Sequence, residues 1–432
     1  MGLLHRVKPA GIGLALLACL FFAPPGFCDC KNKIALGANV RETFDDNIFL
    51  SRTGKKSDWI TLLAAPISLG LTAERGDLSL VYTPAQSLYA DYNQNNTLRH
   101  NMDMTADATL TENLSFNFLT RYVRTEDPLG ADLSDTDAAE DVIGLVAHHK
   151  ATGEAKFTEK LGKRSSAYAG YGYATLIYDD PTTDSGLLQT PKAGTSLWIS
   201  EQNGVELSYE YTDGRFWRKN RQPTQDDFIS NEGGIKLLHR FSDSAKAGVS
   251  YNLLSLRFDN NPDDYNVHKV LALYSQTFSQ EWSANLSAGY FQKDNRLAGD
   301  MSGPAYELLV TRTWDRGNLS LTANGGYELL YLASRQRGFH KFHEAGPELE
   351  YKLTQRITAH ALVFYRYDEQ ENKVSFDVWR QRYWIRYSPV PKLNITAEYT
   401  NVNKSDEQPQ YAFTDNRFSI LISLDDILSY CW

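Results

Sequence analysis

Seven charged side chains in the last quarter of the chain are spaced to act together. Arg380, Arg382 and Arg386 recur at even intervals in the segment that starts at Phe376. Arg366 and His360 do the same in the segment before it, and Glu344, Glu348 and Glu350 in the one before that. On strands, whose side chains alternate between faces, even spacing keeps each set on one side. Facing basic and acidic ladders create a transverse field, which is how charged side chains select permeants in a pore. The bland alternative is a large polar lumen filled with ion pairs. A one-residue slip in register would turn the whole set outward.

Other groups carry less chemistry. His340 and His343 beside Glu344 resemble a metal site, but residues three apart on a strand point to opposite faces. His148 and His149 are consecutive, so only one of them can face lipid. No nucleophile–His–acid set or cysteine cluster accompanies these histidines, so neither an enzyme nor a resident metal or cofactor is expected. Asp45-Asp46-Asn47 reads as turn chemistry, with a divalent cation as the alternative. The acids Asp127, Asp132, Asp135, Asp137, Glu140 and Asp141, like Asp179, Asp180 and Asp184, read as solvated loop charge. Bridging to Ca²⁺ or to surface polysaccharide is the alternative for these.

The elements that must position these residues are strands, because period-two alternation dominates the chain. Ile67, Leu69 and Leu71 alternate with Ser68, Gly70 and Thr72. Val205, Leu207, Tyr209 and Tyr211 alternate with Glu206, Ser208 and Glu210, and the pattern returns near residues 282–290, 319–327, 357–365 and 393–399. Connections alternate as well. Short ones such as Arg75-Gly76-Asp77 and Asp315-Arg316-Gly317 take turns with longer polar stretches such as 45–58, 126–140 and 402–411. Short periplasmic turns, long outer loops and an even strand number are the parity of a bacterial outer-membrane barrel. Aromatics add a second indication. Tyr122, Tyr211, Tyr290, Tyr327, Tyr367 and Tyr399 fall on the apolar face near the outer strand ends. Trp198, Trp282, Trp314, Tyr351 and Tyr387 fall near the short turns, so two interfacial belts are expected.

Composition and termini agree. The chain has 432 residues, 12% aromatic with 25 Tyr, and a mean hydropathy of −0.44, too polar for a helical membrane protein. An alternating wall explains that mixture. His5, Arg6 and Lys8, then the apolar stretch Gly11 to Ala23, then Gly26-Phe27-Cys28 form a signal peptide over residues 1–28. A lipoprotein box at Leu16-Leu17-Ala18-Cys19 is the lesser alternative. The mature chain, 29–432, keeps Cys30 and Cys431 at its two ends. They are either incidental thiols or a disulfide across the seam between first and last strands, which an oxidising compartment permits. With 44 basic and 53 acidic residues and no basic stripe, nucleic-acid binding has no electrostatic support. The last segment, Phe418 to Trp432, alternates and ends on an aromatic, like the signal read by the barrel-assembly machinery. Asp425-Asp426 interrupts it, which leaves open whether the last residues belong to the strand.

A resemblance sharpens the function. Glu42-Thr43-Phe44-Asp45-Asp46-Asn47-Ile48-Phe49-Leu50, with Lys55-Lys56-Ser57-Asp58-Trp59-Ile60-Thr61, resembles the opening of a family of outer-membrane β-barrel porins. So do Tyr82-Thr83-Pro84, Tyr89-Ala90-Asp91-Tyr92, His100-Asn101 and Thr125-Glu126-Asp127-Pro128. The resemblance is clearest over residues 40–128 and transfers no catalytic residues. Members are often encoded in exopolysaccharide gene clusters, which implies a role in polymer export.

The expectation is therefore an all-β, antiparallel, up-and-down transmembrane barrel in the Gram-negative outer membrane, with no plug domain. It has about 20 strands, or 18 if residues 186–199 or 227–240 are not strands. Its expected function is a porin-like channel or export conduit, for exopolysaccharide by the resemblance. The alternative is a non-conducting structural barrel that anchors a surface assembly, and a hydrolase ranks last. Expected partners are outer-membrane lipid and lipopolysaccharide, the barrel-assembly machinery and polysaccharide-export proteins.

Overall fold

The computed structural model describes residues 32–129, 145–218, 222–223, 227–259, 263–295, 299–330, 332, 338–371 and 374–431. The signal peptide expected over residues 1–28 lies outside them, as do Cys30 and the loop acids Asp132, Asp135, Asp137, Glu140 and Asp141.

Every long element among the described residues is a strand. They run β1 (Lys33–Asp45), β2 (Asp58–Ala64), β3 (Ile67–Ala73), β4 (Gly76–Tyr89), β5 (Thr97–Thr109), β6 (Leu114–Thr125), β7 (His148–Lys160) and β8 (Ser166–Tyr178). Next come β9 (Ser185–Trp198), β10 (Asn203–Arg218), β11 (Gln222–Pro223), β12 (Phe228–Arg240), β13 (Ala245–Phe258), β14 (Tyr265–Thr277) and β15 (Trp282–Asn295). The last are β16 (Met301–Trp314), β17 (Gly317–Leu330), β18 (Gly338–Lys352), β19 (Ile357–Gln370), β20 (Ser375–Val390), β21 (Leu393–Asp406) and β22 (Phe413–Cys431). Two short 3₁₀ turns, Asn93–Asn95 and Pro409–Tyr411, sit in loops. No helix among the described residues is long and apolar enough to cross a membrane.

β2 and β3 are one wall strand broken at Ala65-Pro66, since both pair with β1 on one side and with β4 on the other. Proline has no N–H to give to a ladder, so the break falls there. β11 is a two-residue pairing onto the end of β10. The wall therefore has 20 strands plus that extra one, each antiparallel to its neighbours. β9 and β12, the two weakly patterned stretches, are both wall strands, so the higher strand count is the right one.

β22 pairs with β1 and shuts the cylinder. Closure matters physically because hydrocarbon offers no partner for a free edge, and a closed barrel has none. The seam carries one irregularity, between Leu36 and Ala38 opposite Leu424–Leu428, where Asp426 takes a positive φ of 50°. β22 absorbs it and continues to Cys431, so the Asp425-Asp426 interruption is a bulge inside the strand. Cys431 faces Lys33 across the seam and is disulfide-bonded.

The two faces separate as the alternation implies. Trp379, Tyr383, Ile385 and Tyr387 are exposed on one side of β20, while Phe376, Val378 and Arg380 are buried on the other. Phe418, Ile420 and Ile422 on β22 repeat that pattern against buried Asp415 and Ser419. The exposed apolar side is the lipid face. Tyr327 departs from expectation. It turns inward and packs on Phe291 and Phe339, with ring centroids 5.4 and 5.3 Å away. The β16–β17 ladder stops at Tyr306 opposite Gly325, and Gly326 takes a φ of +152°, so the alternation breaks just before Tyr327.

Candidate functional site

The lumen is not uniform along its axis. Nearly all fully buried side chains lie at the strand ends that carry the long loops, the outer end by the parity of loops and turns. Inward-facing Phe216, Phe228, Leu254, Leu256, Tyr265, Val267, Phe291 and Phe339 form one apolar cluster there. A second joins Phe376, Val378, Val402 and Phe413 to the loop residues Leu50 and Leu129. Contacts reach across the lumen: a Cβ added to Gly186 on β9 would lie 3.0 Å from Leu332, in the loop after β17. The wall bends sharply on that side, bringing β14 and β16 within 8 Å of each other by Cα atoms. Beneath the cluster is a cavity of about 440 Å³ lined by Glu206, Lys236, Lys246, Ser275, Asn285 and Glu307 among others.

Charge organises the other side of the outer end. The chain after β6 turns into the barrel, leaving Glu126, Asp127 and Leu129 buried. Arg99 on β5 donates from Nε to Glu126 at 3.0 Å, and Ser87 and Tyr89 on β4 each donate to the same carboxylate at 3.0 Å. Asp127 accepts from Arg417 Nη1 of β22 at 2.8 Å and lies 3.9 Å from Arg99. Burial alone would raise the Asp127 carboxyl, but Arg417 and Arg99 outweigh it and hold it below the ordinary value. Two arginines from opposite sides of the seam thus clasp two consecutive acids of one loop. Arg417 also pairs with Asp415 at 2.8 Å and Asp45 at 3.1 Å.

Asp45-Asp46-Asn47 forms a turn. The Asn47 N–H donates to Asp45 at 2.7 Å, and its side chain donates to the carbonyls of Ser51 and Thr414. Asp46 accepts from Asn416 of β22. The carboxylates of Asp45, Asp46 and Asp415 lie within 4.8 Å of one another, but Arg417 already supplies the cation for two of them. Among the other loop acids, Asp180 accepts from Thr182 and Thr183, Asp184 pairs with Arg218, and Asp179 lies 3.7 Å from Arg124.

Register places all seven ladder residues on the inward face. Glu344 stands opposite Arg366, Glu348 opposite Leu362 and then Arg382, and Glu350 opposite His360. Phe364 stands opposite Arg380, and Thr358 opposite Arg386. Many of these charges are engaged. Arg366 is 2% exposed and pairs with Glu328 at 2.6 Å, Asp368 at 2.7 Å and Glu344 at 3.5 Å. Arg382 pairs with Glu398 at 2.9 Å and Glu348 with His360 at 3.0 Å. Arg380 lies over the Phe364 ring and Arg386 over Trp384. Arg386 and Glu350 make no ion pair among the described residues.

The histidines disperse. His340 is buried 3.8 Å from Asp368, whereas His343 lies on the lipid face against Tyr306, so they do not converge with Glu344 on a metal. His149 bonds Tyr122 on the lipid face at 2.8 Å, and His148 stands opposite Thr125 on the lumen side. Pairs of this kind recur around the outside as Tyr82–His100 and Tyr251–His268. The Tyr306–His343 contact passes over Gly325, where a Cβ would strike both rings. Sequence reasoning missed Arg41, Arg99 and Arg417, whose only signal was alternation with apolar neighbours.

A closed 20-stranded wall with an apolar outside and a polar, partly filled inside defines an outer-membrane β-barrel of the Gram-negative envelope. Comparison with solved structures gives the same fold. The ferric enterobactin receptor PfeA from Pseudomonas aeruginosa overlays with a TM-score of 0.52 at 9% identity, covering 93% of this chain and 81% of its own. The FrpB iron transporter from Neisseria meningitidis overlays with 0.51 at 9% identity, covering 90% and 81%. A BenF-like porin from Pseudomonas fluorescens Pf-5 overlays with 0.42 at 14% identity, covering 93% and 100%. No family model matches the sequence, and no curated protein matches it.

Proposed function

We propose that the protein is a narrowed outer-membrane channel that serves as an export conduit, with exopolysaccharide as its cargo. One observation carries this reading: a polar inner half of the lumen opens beneath an outer end closed down by wall side chains and inward-turned loop residues. A 20-stranded wall encloses more space than side chains alone fill, so such a barrel is built around a passage. Its outer end is narrowed by its own wall and loops rather than by a plug domain. The polymer rests on the resemblance over residues 40–128. Arg380, Arg382 and Arg386, facing Glu344, Glu348 and Glu350, filter permeants by charge. Residues 1–28 direct export, the assembly machinery inserts the barrel among outer-membrane lipid and lipopolysaccharide, and polysaccharide-export proteins deliver cargo from the periplasm. A Cys30–Cys431 bridge ties the seam at that rim.

Planar-bilayer recording of the purified, refolded chain tests the channel. Discrete conductance steps support it, and a silent barrel overturns it. The second reading, a non-conducting barrel that anchors a surface assembly, is favoured by the apolar cluster of β10–β18. A silent bilayer would select that reading.

A further inference from the structure

Arg41 stands on the inward face of β1, opposite Leu421 of β22 and Leu62 of β2. Its face follows from Asp45, four residues on and buried in the lumen network. Arg99, Arg366, Arg382 and Arg417 each hold a carboxylate. Arg41 is half-buried, forms no ion pair among the described residues, and its Nε is buried with no hydrogen-bond partner. The charges that act on it are Glu398, Arg382, Arg99 and Asp127. Both of those carboxylates are already engaged, Glu398 by Arg382 and Asp127 by Arg417 and Arg99. Neither carboxylate is left free to pair with Arg41.

An acceptor accompanies that unpaired donor. Asn39, two residues from Arg41 on the same face, has a buried Oδ1 without a partner. Reversing the amide would exchange an unmet acceptor for an unmet donor, so the demand remains. A guanidinium asks for a planar anion such as a carboxylate, and the amide oxygen asks for a hydroxyl donor. Sugar acids carry both.

We propose that Arg41, with Asn39, forms a binding site in the lumen for the carboxylate and hydroxyls of an acidic sugar. The site deepens the conduit reading and rests on it for its cargo, which becomes a uronate-bearing polymer. Isothermal titration of the detergent-folded full chain with D-glucuronate, and with D-glucose as the neutral control, tests it. Glucuronate binds and glucose does not. Arg41→Gln weakens glucuronate by about tenfold or more, and Arg41→Lys keeps part of the affinity because the charge survives without the planar fork. Heat-modifiable gel mobility establishes that each variant is folded, and if Arg41→Gln does not fold, the Arg41→Lys and Asn39→Ala variants decide. The proposal is overturned if wild type does not bind glucuronate, if glucose binds equally, or if the folded variants bind as wild type does. Bilayer conductance is read separately. A silent barrel that still binds glucuronate through Arg41 keeps the site and removes the conduit; a conducting barrel indifferent to Arg41 does the reverse.

Discussion

The loop clasp around Asp127 shows how much a single side chain decides at the outer end. Asp127 is held between Arg417 and Arg99 with little water around it. Removing one partner from a buried pair leaves the other charge uncompensated, which costs about 3–5 kcal/mol. Asp127→Asn is expected to lower the urea resistance of the refolded barrel by that order, whereas a change in the exposed Asp243 leaves it unaltered. The carboxyl is held below its ordinary value, so its contribution is complete above about pH 4 and is lost as pH falls below that, through the lower folded value. Limited proteolysis of the loop at neutral pH and near pH 3 checks the direction: cleavage increases in acid for wild type, and Asp127→Asn is cut at both. Arg366 poses a similar case with more partners. Arg366→Met strands Asp368, Glu328 and Glu344 together and is expected to destabilise the folded barrel by about 3 kcal/mol or more in the same urea titration.

Strand β15 shows what an element adds to its residues. β14 and β16 approach closely around it, and a Cβ at Gly289 would run into the backbone carbonyl of Val270. The sharp corner of the wall therefore depends on a residue with no side chain. Gly289→Ala is expected to cost about 1–3 kcal/mol as overpacking and to slow refolding into detergent, while Gly70→Ala, in open space, is tolerated. Comparable folded yields of the two variants would contradict that account. Elements also show where alternation can be read and where it fails. β1 and β10 follow period two from end to end, and β20 does so from Phe376 to Tyr387, so Arg380, Arg382 and Arg386 are legible as one row. β17 does not, because Gly325-Gly326 breaks the pattern, and Tyr327 turns inward against its sequence parity. A glycine pair signals that a break is permitted without saying that it happens.

At the scale of the whole molecule, closure and asymmetry govern behaviour. A chain whose first and last strands must pair gains stability from any tether at that seam. Cys431→Ser is expected to weaken the folded band in heat-modifiability gels, by about 2–4 kcal/mol if converted to stability, and reductant should reproduce the effect in wild type. Identical melting of oxidised and reduced barrels would remove the tether from the account. Filling is lopsided too: an apolar mass from β9 to β18 occupies one side of the outer lumen and a charged clasp the other. Ion flow is therefore expected on the charged side. Replacing Arg382 with Ala should shift the reversal potential in a salt gradient towards cations, with Phe228→Leu leaving it unmoved.

Sequence by itself determined the wall: its strand type, its even count, its lipid face and the parity of turns and loops. Each of these depends on neighbours within one strand or one turn, and period two encodes them directly. The interior was decided only by the closed fold. Arg417 meets Asp127 from 290 positions away in the chain, and Leu332 reaches the wall opposite its own strand. Such contacts arise where curvature and inward-turned loops bring distant faces together, a geometry that no local pattern records. For the same reason Arg41 reads in sequence as one more alternating cation, and becomes a binding residue only where its neighbours' carboxylates are already taken.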